Sequence, residues 1–271
     1  MVEIVDRLTG TGLVLNFGDS NGNHGAQSHE IVKARVDLRP QQSIPGYFFV
    51  QANAEKLPFR PGSFDTVVCN HSLERFDKLE ETLGEIGAVV KPDGALFLTM
   101  PDVRSFTDRA YRWLARGHGH VDGFNSAHDL AQLVESHTGL PHVATRTLCT
   151  SFSFVNRRNA RGALPGRLAV FLWGMEGPLV LLNALLRLLD RFLHTRTSVY
   201  GWALYFGLIH RQISTDPQTN VCVRCGFGHR SDWLMKIRVV DAFLGLIPRY
   251  RCPHCGAANI YFRDEAYKGL Q

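Results

Sequence analysis

No stretch of the 271-residue chain reaches the roughly 18 to 20 uncharged apolar residues that a membrane-spanning helix needs. The N-terminal sequence MVEIVDRLTG lacks a basic region followed by an apolar one, so nothing in it reads as a secretory leader. Together these absences predict a cytoplasmic protein. Cysteine is also sparse. Four of the six cysteines fall in two CxxC pairs, and in a reducing compartment that clustering points to metal binding more than to disulfides. Acidic side chains are scarce in one segment only: residues 151–213 hold two against eight basic ones, whereas residues 1–150 hold 18 against 14. The net charge of +5 therefore belongs to the second half of the chain, and an acidic first half argues against a nucleic-acid substrate.

What is present is concentrated between Val50 and Pro101, in a chain long enough for one α/β domain and a small appendage. Thr66, Val67 and Val68 follow Pro61-Gly62, and Leu96, Phe97 and Leu98 follow Asp93-Gly94; both runs read as parallel strands buried on two faces. Between them Leu79, Leu83, Ile86 and Val90 recur at helical spacing, with Lys78, Glu80, Glu81 and Glu85 assigned to the opposite face. Strand, helix and strand with short turns make a right-handed βαβ unit, whose ligands bind beyond the carboxyl ends of the strands.

The order AEKLPF, SFDTVV, a helix carrying LEET and EI, KPDG and ALFLTMP resembles the second half of the class I S-adenosylmethionine-dependent methyltransferase fold, in the branch that modifies small molecules, lipids and glycans. The resemblance implies a doubly wound, Rossmann-like sheet of seven strands and S-adenosylmethionine as cofactor. Upstream, Leu13 to Gly22 is similar to the family's first strand and glycine loop: Gly18 and Gly22 match, while Asn16 replaces an acidic residue and Ser20 a glycine. The segment NHGAQSHEIVKA is a poor helix, as in members where a short loop leads straight to a VDLRP-like strand. Asp37 is then placed to accept the ribose hydroxyls, its alternative being a turn-initiating Asp before Arg39-Pro40, and Leu38 to cover one adenine face. Asn53-Ala54 stands where the family has an acidic residue before Ala at the adenine edge, and Asn70 borders the methionine side.

A general base is needed only where the acceptor keeps its proton near neutral pH. His71 after the fourth strand is one candidate, and the position four residues later, commonly His in this family, is Arg75. His120, in Gly117-His118-Gly119-His120 before a helix over about 126–138, is the second, from a region that lines the acceptor pocket in similar proteins. Each could equally be a loop or cap residue.

After a sixth strand around 142–154 comes an insert, residues 155–198, inside a methyltransferase-like domain of residues 1–213 that closes on Tyr200–Phe206. Its helix, expected to begin after Gly177-Pro178, sets Leu179, Leu182, Leu186, Leu189 and Leu193 on one line and Asn183, Arg187 and Asp190 on another. Three roles are open for this amphipathic element: a lid packed on the core, a homodimer interface, or peripheral membrane contact through 157–196, where arginines alternate with leucines.

Residues 219–263 contain Cys222-Val223-Arg224-Cys225-Gly226 and Cys252-Pro253-His254-Cys255-Gly256, whose spacing suits one tetrahedral Zn held by four thiolates. They resemble a zinc ribbon, with Trp233, Leu234, Ile237, Val240, Phe243 and Ile247 expected to pack around the site; two disulfides or an iron site are alternatives. Cys69 and Cys149 read as buried apolar residues. The resulting expectation is a methyltransferase acting on a small-molecule, glycan or lipid-linked acceptor. Its rivals are a scaffold that has lost catalysis and an RNA methyltransferase using the ribbon, the latter without the asparagine-proline-proline-aromatic tetrad of base-modifying members.

Overall fold

The computed structural model describes residues 12–17, 31–37, 47–114, 124, 126–156, 175–209, 213–243 and 245–270. Seven strands form one sheet in the order β3-β2-β1-β4-β5-β7-β6. They are β1 (Gly12–Phe17), β2 (Ile31–Asp37), β3 (Tyr47–Gln51), β4 (Phe64–Asn70), β5 (Val90–Pro101), β6 (His142–Cys149) and β7 (Val199–Gly207). The β1–β2, β2–β3, β1–β4 and β4–β5 pairs are all parallel. Strand order reverses between β1 and β4, and such a reversal opens a crevice beyond the carboxyl ends of those two strands.

Apolar runs become central strands because both faces are covered: Val67, Val68, Leu96, Phe97 and Leu98 are all buried. Helix α1 (Leu79–Val89) buries Leu79, Leu83 and Ile86 as its spacing predicts, but it ends at Val89, and Val90 opens β5 by pairing with Phe64. The KPDG turn is an outward bulge within that strand, since the next pairing joins Thr66 to Ala95. Glu85 departs from the expected solvent face, because its Oε2 accepts the Leu57 N–H at 2.7 Å and so pins the AEKLPF segment.

Helix α2 (Phe106–Leu114) is followed by α3 (Ala127–Thr138), within one residue of its expected start. Ser126 caps α3 by accepting the His128 N–H at 3.1 Å, and Gly139, at φ 70°, ends it in the left-handed region. Replacing Ser126 by Ala should cost about 1 kcal/mol in urea denaturation.

The chain divides into two compact units. The first holds β1 to β5, α1, α3, the first half of β6 and the carboxyl part of β7; the second holds α2, the second half of β6, the helical insert and everything from Thr215. In the second, α4 (Glu176–Leu193) starts three residues before the expected point, with Pro178 in the first turn, where a missing N–H costs nothing. Both lines are covered: Leu179 and Leu186 are buried with Leu182 and Leu189 packed on them, Asn183, Arg187 and Asp190 are buried beside them, and of the leucine line Leu193 is exposed. Hydrogen bonds hold the polar line inside. Asn183 Nδ2 donates to Ser151 O at 2.8 Å, Arg187 Nη2 to Thr150 O at 2.8 Å and Thr219 O at 3.1 Å, and Asp190 accepts from Thr197 N at 2.7 Å and Ser198 N at 2.9 Å. Among the described residues no helix is long and apolar enough to cross a membrane.

Beyond Thr215 lie β8 (Asn220–Val221), β9 (Gly228–His229), α5 (Ser231–Lys236), β10 (Val240–Phe243), β11 (Ile247–Arg251) and β12 (Ala258–Ile260). Leu234 is buried beside Cys222 and Cys252, with Trp233 and Val240 packed on them. Ile237, the C-cap of α5, and Ile247, the first residue of β11 beside the β10–β11 turn, are instead exposed; the Phe243 side chain lies outside the described residues.

Candidate donor site and metal centre

The described residues of the expected donor site lie on the carboxyl ends of adjacent parallel strands. Asn16 is the penultimate residue of β1, Asp37 the last of β2 and Asn70 the last of β4. Gly18, Ser20, Gly22, Leu38 and His120 lie outside the described residues, as do the Arg75 side chain and residues 157–174. Asn16 is 5% exposed, and its Oδ1 meets no donor among the described residues. A buried carbonyl oxygen without a partner costs about 1–3 kcal/mol, so this position favours an N–H donor.

Asn53 is exposed and shapes its own turn: Oδ1 accepts the Glu55 N–H at 3.1 Å, and its carbonyl accepts Lys56 N–H at 3.0 Å. An aspartate would accept the same Glu55 N–H, so the change to Asn keeps the turn and removes only the charge. Ala54 is buried behind it. Asp37 O accepts the Ala52 N–H at 3.2 Å and ties this turn to the end of β2.

His71 leaves β4 in the left-handed region, at φ 48°, a conformation that costs a non-glycine residue about 1 kcal/mol or more. Two acceptors hold it there. Its N–H reaches Thr99 Oγ1 at 3.1 Å and Thr99 O at 3.3 Å, and the same hydroxyl donates to Asn70 Oδ1 at 2.7 Å. Thr99 thus orients both Asn70 and His71. Sequence reasoning passed over it, although a single threonine within ALFLTMP was the available signal. Burial pushes the Cys69 thiol up, with the Glu74 carboxylate adding to it, and likewise raises Cys149, so both stay protonated apolar residues as expected.

In the second unit the sulfur atoms of Cys222, Cys225, Cys252 and Cys255 all lie within 4.8 Å of one another. The Cys222–Cys255 and Cys225–Cys252 separations are 3.6 and 3.7 Å. Bonds of about 2.3 Å from sulfur to a tetrahedral Zn give edges of about 3.8 Å, whereas a disulfide needs about 2.05 Å. The two knuckles repeat one geometry: Gly226 N–H bonds Cys222 O at 2.9 Å and Gly256 N–H bonds Cys252 O at 2.8 Å, with both glycines at positive φ. Further donors face the sulfurs. Arg224 N–H points at Cys222 Sγ at 3.4 Å, and His229 Nε2 lies 3.3 Å from Cys252 Sγ. Hydrogen bonds from Cys225 and Cys252 hold the Cys222 thiol well below its ordinary range, and burial lowers His229 to about 4, so its imidazole beside the sulfur is neutral. The donor set fits a structural Zn, with all four positions filled by protein.

Residues 25–98 match the family model described as a methyltransferase domain. The sheet has the class I methyltransferase fold. The UbiE C-methyltransferase of ubiquinone/menaquinone biosynthesis from Wigglesworthia glossinidia brevipalpis is 34% identical over 64 residues, covering 24% of this chain and 26% of that protein. Its counterpart from Blochmanniella pennsylvanica is 31% identical over 106 residues, covering 35% and 40%. The chain therefore spans about a quarter to two-fifths of the length of these relatives. Among solved structures, a protein described as a methyltransferase from an antibiotic biosynthesis pathway of Anabaena variabilis superposes with a TM-score of 0.51 at 14% identity, over 76% of this chain and 96% of that one. In the methyltransferase domain, the match ends at Leu98, one residue before Thr99.

Proposed function

We propose that the protein is an S-adenosylmethionine-dependent methyltransferase whose acceptor is a small molecule, of the apolar, ring-bearing kind that the names of its UbiE relatives suggest. The bound donor would supply an activated methyl group, and the chain's own task is then alignment and exclusion of water. What supports this reading is that Asn16, Asp37 and Asn70 all stand at the carboxyl ends of adjacent parallel strands in a chain whose residues 25–98 match a methyltransferase-domain model. Asp37 would accept the ribose hydroxyls, Asn53-Ala54 would meet the adenine edge, and Asn16 Oδ1 would accept from the donor's ammonium. His71, fixed by Thr99, is the candidate base for an acceptor that keeps its proton.

A scaffold that binds without catalysis is the second reading, favoured by the lost charges at positions 16 and 53. Two variants separate them. Asp37→Ala should weaken S-adenosylhomocysteine binding by about tenfold to a hundredfold, the scale of hydrogen bonds to a charged group. His71→Asn should leave that affinity unchanged while lowering methyl transfer from labelled donor to a quinol-type acceptor; equal turnover would remove His71 from the chemistry. We also propose that Cys222, Cys225, Cys252 and Cys255 hold one structural Zn.

A further inference from the structure

We infer that the outward face of α4 docks on an anionic lipid surface, an inference that stands independently of methyl transfer. The roll of this helix is set from inside. Asn183 Nδ2, the Arg187 guanidinium and the Asp190 carboxylate bond backbone groups of residues 150–151, 197–198 and 219, so turning the helix to bury more leucine would strand a guanidinium and a carboxylate. Leu181, Leu185, Leu188 and Phe192 consequently point outward at i, i+4, i+7 and i+11, and are 70%, 52%, 42% and 71% exposed. A continuous apolar stripe over three turns is larger than the scattered exposure of an ordinary surface.

Its charge selects the occupant. Arg191, His194 and Arg196 are exposed at the carboxyl end of the stripe, and the Arg191 guanidinium lies 5.8 Å from the centroid of the Phe192 ring. Residues 151–213 contain two acids, and neither is available. Asp190 is buried, and Glu176 holds Arg224 through two bonds of 2.5 and 2.7 Å. Within the described part of residues 151–213 the face thus offers apolar and cationic groups with no free carboxylate. A two-fold contact with a second copy would bring like charges together without counter-charge, whereas a bilayer with anionic headgroups supplies both an apolar layer and negative charge.

The test is sedimentation of the full chain with phosphatidylserine-rich and with pure phosphatidylcholine vesicles. Binding to the acidic vesicles should be at least about tenfold stronger and should fall with added salt, as expected when each surface arginine contributes about fivefold. The double variant Leu185→Glu/Phe192→Glu should abolish it; both sites are exposed, so its circular dichroism and metal content should match the parent. Arg191→Ala/Arg196→Ala should weaken acidic-vesicle binding by about tenfold or more. Equal or negligible binding to the two vesicle types would overturn the inference, as would a dimer in solution that the Leu185→Glu/Phe192→Glu variant dissociates.

Discussion

Purified protein should contain one Zn per chain, and stripping it with a strong chelator should unfold residues 219–263 while the methyltransferase sheet persists. The ribbon's buried cluster is small, essentially Leu234, Tyr250, Ala257 and Tyr261 around two of the cysteines, and a core of that size holds little folding free energy by itself. Comparable structural sites contribute on the order of 10 kcal/mol. Effects should extend into α4. Arg224 bonds Cys255 O at 2.8 Å and also Glu176 at the first turn of that helix, and Asn156 Nδ2 bonds Val223 O at 3.1 Å. Loss of the knuckle therefore releases the helix N-terminus, so chelation should remove helical circular dichroism beyond what the six-residue α5 accounts for. Elemental analysis with thermal unfolding, repeated on Cys252→Ser, checks both parts; absence of stoichiometric metal, or a melting curve unchanged by chelation, would contradict the assignment.

The second large effect is expected from Arg187→Ala. This side chain is 2% exposed and reaches three carbonyl oxygens, of Thr150, Ser198 and Thr219, from three separate segments. Removing the guanidinium leaves those acceptors buried without their donor, at roughly 3 to 5 kcal/mol in total. Leu181→Ala on the opposite face should cost less than 0.5 kcal/mol, the usual range at the surface. Urea denaturation of both variants measures the difference, and similar midpoints would show that the polar line is not what holds the helix.

The sheet was legible from residues 64 to 101 because short β-branched and aliphatic runs between Pro-Gly and Asp-Gly turns carry a parallel sheet's burial directly. The cysteine centre was legible for a similar reason: two CxxCG motifs encode their own local turns. Burial of the polar line of α4 was not. Periodicity separates two faces of a helix but does not say which one faces in, and here backbone carbonyls from three distant segments reward the polar line. Ile237 and Ile247 were assigned to the metal core on composition, yet one caps the end of α5 and the other opens β11 at the hairpin turn, and both are exposed. At the donor site the strand-end positions of Asn16, Asp37 and Asn70 follow from pattern, whereas the role of Thr99 depends on a register between β4 and β5 that only the fold reveals. Glu85 belongs with Thr99, since its partner Leu57 lies 28 residues away.

Calorimetric titration of the full chain with S-adenosylmethionine and S-adenosylhomocysteine tests the central claim most directly. One site per chain with a Kd in the micromolar range, about −8 kcal/mol, weakened by Asp37→Ala, is the predicted result. No heat of binding for either ligand, with the metal content and fold intact, would contradict it.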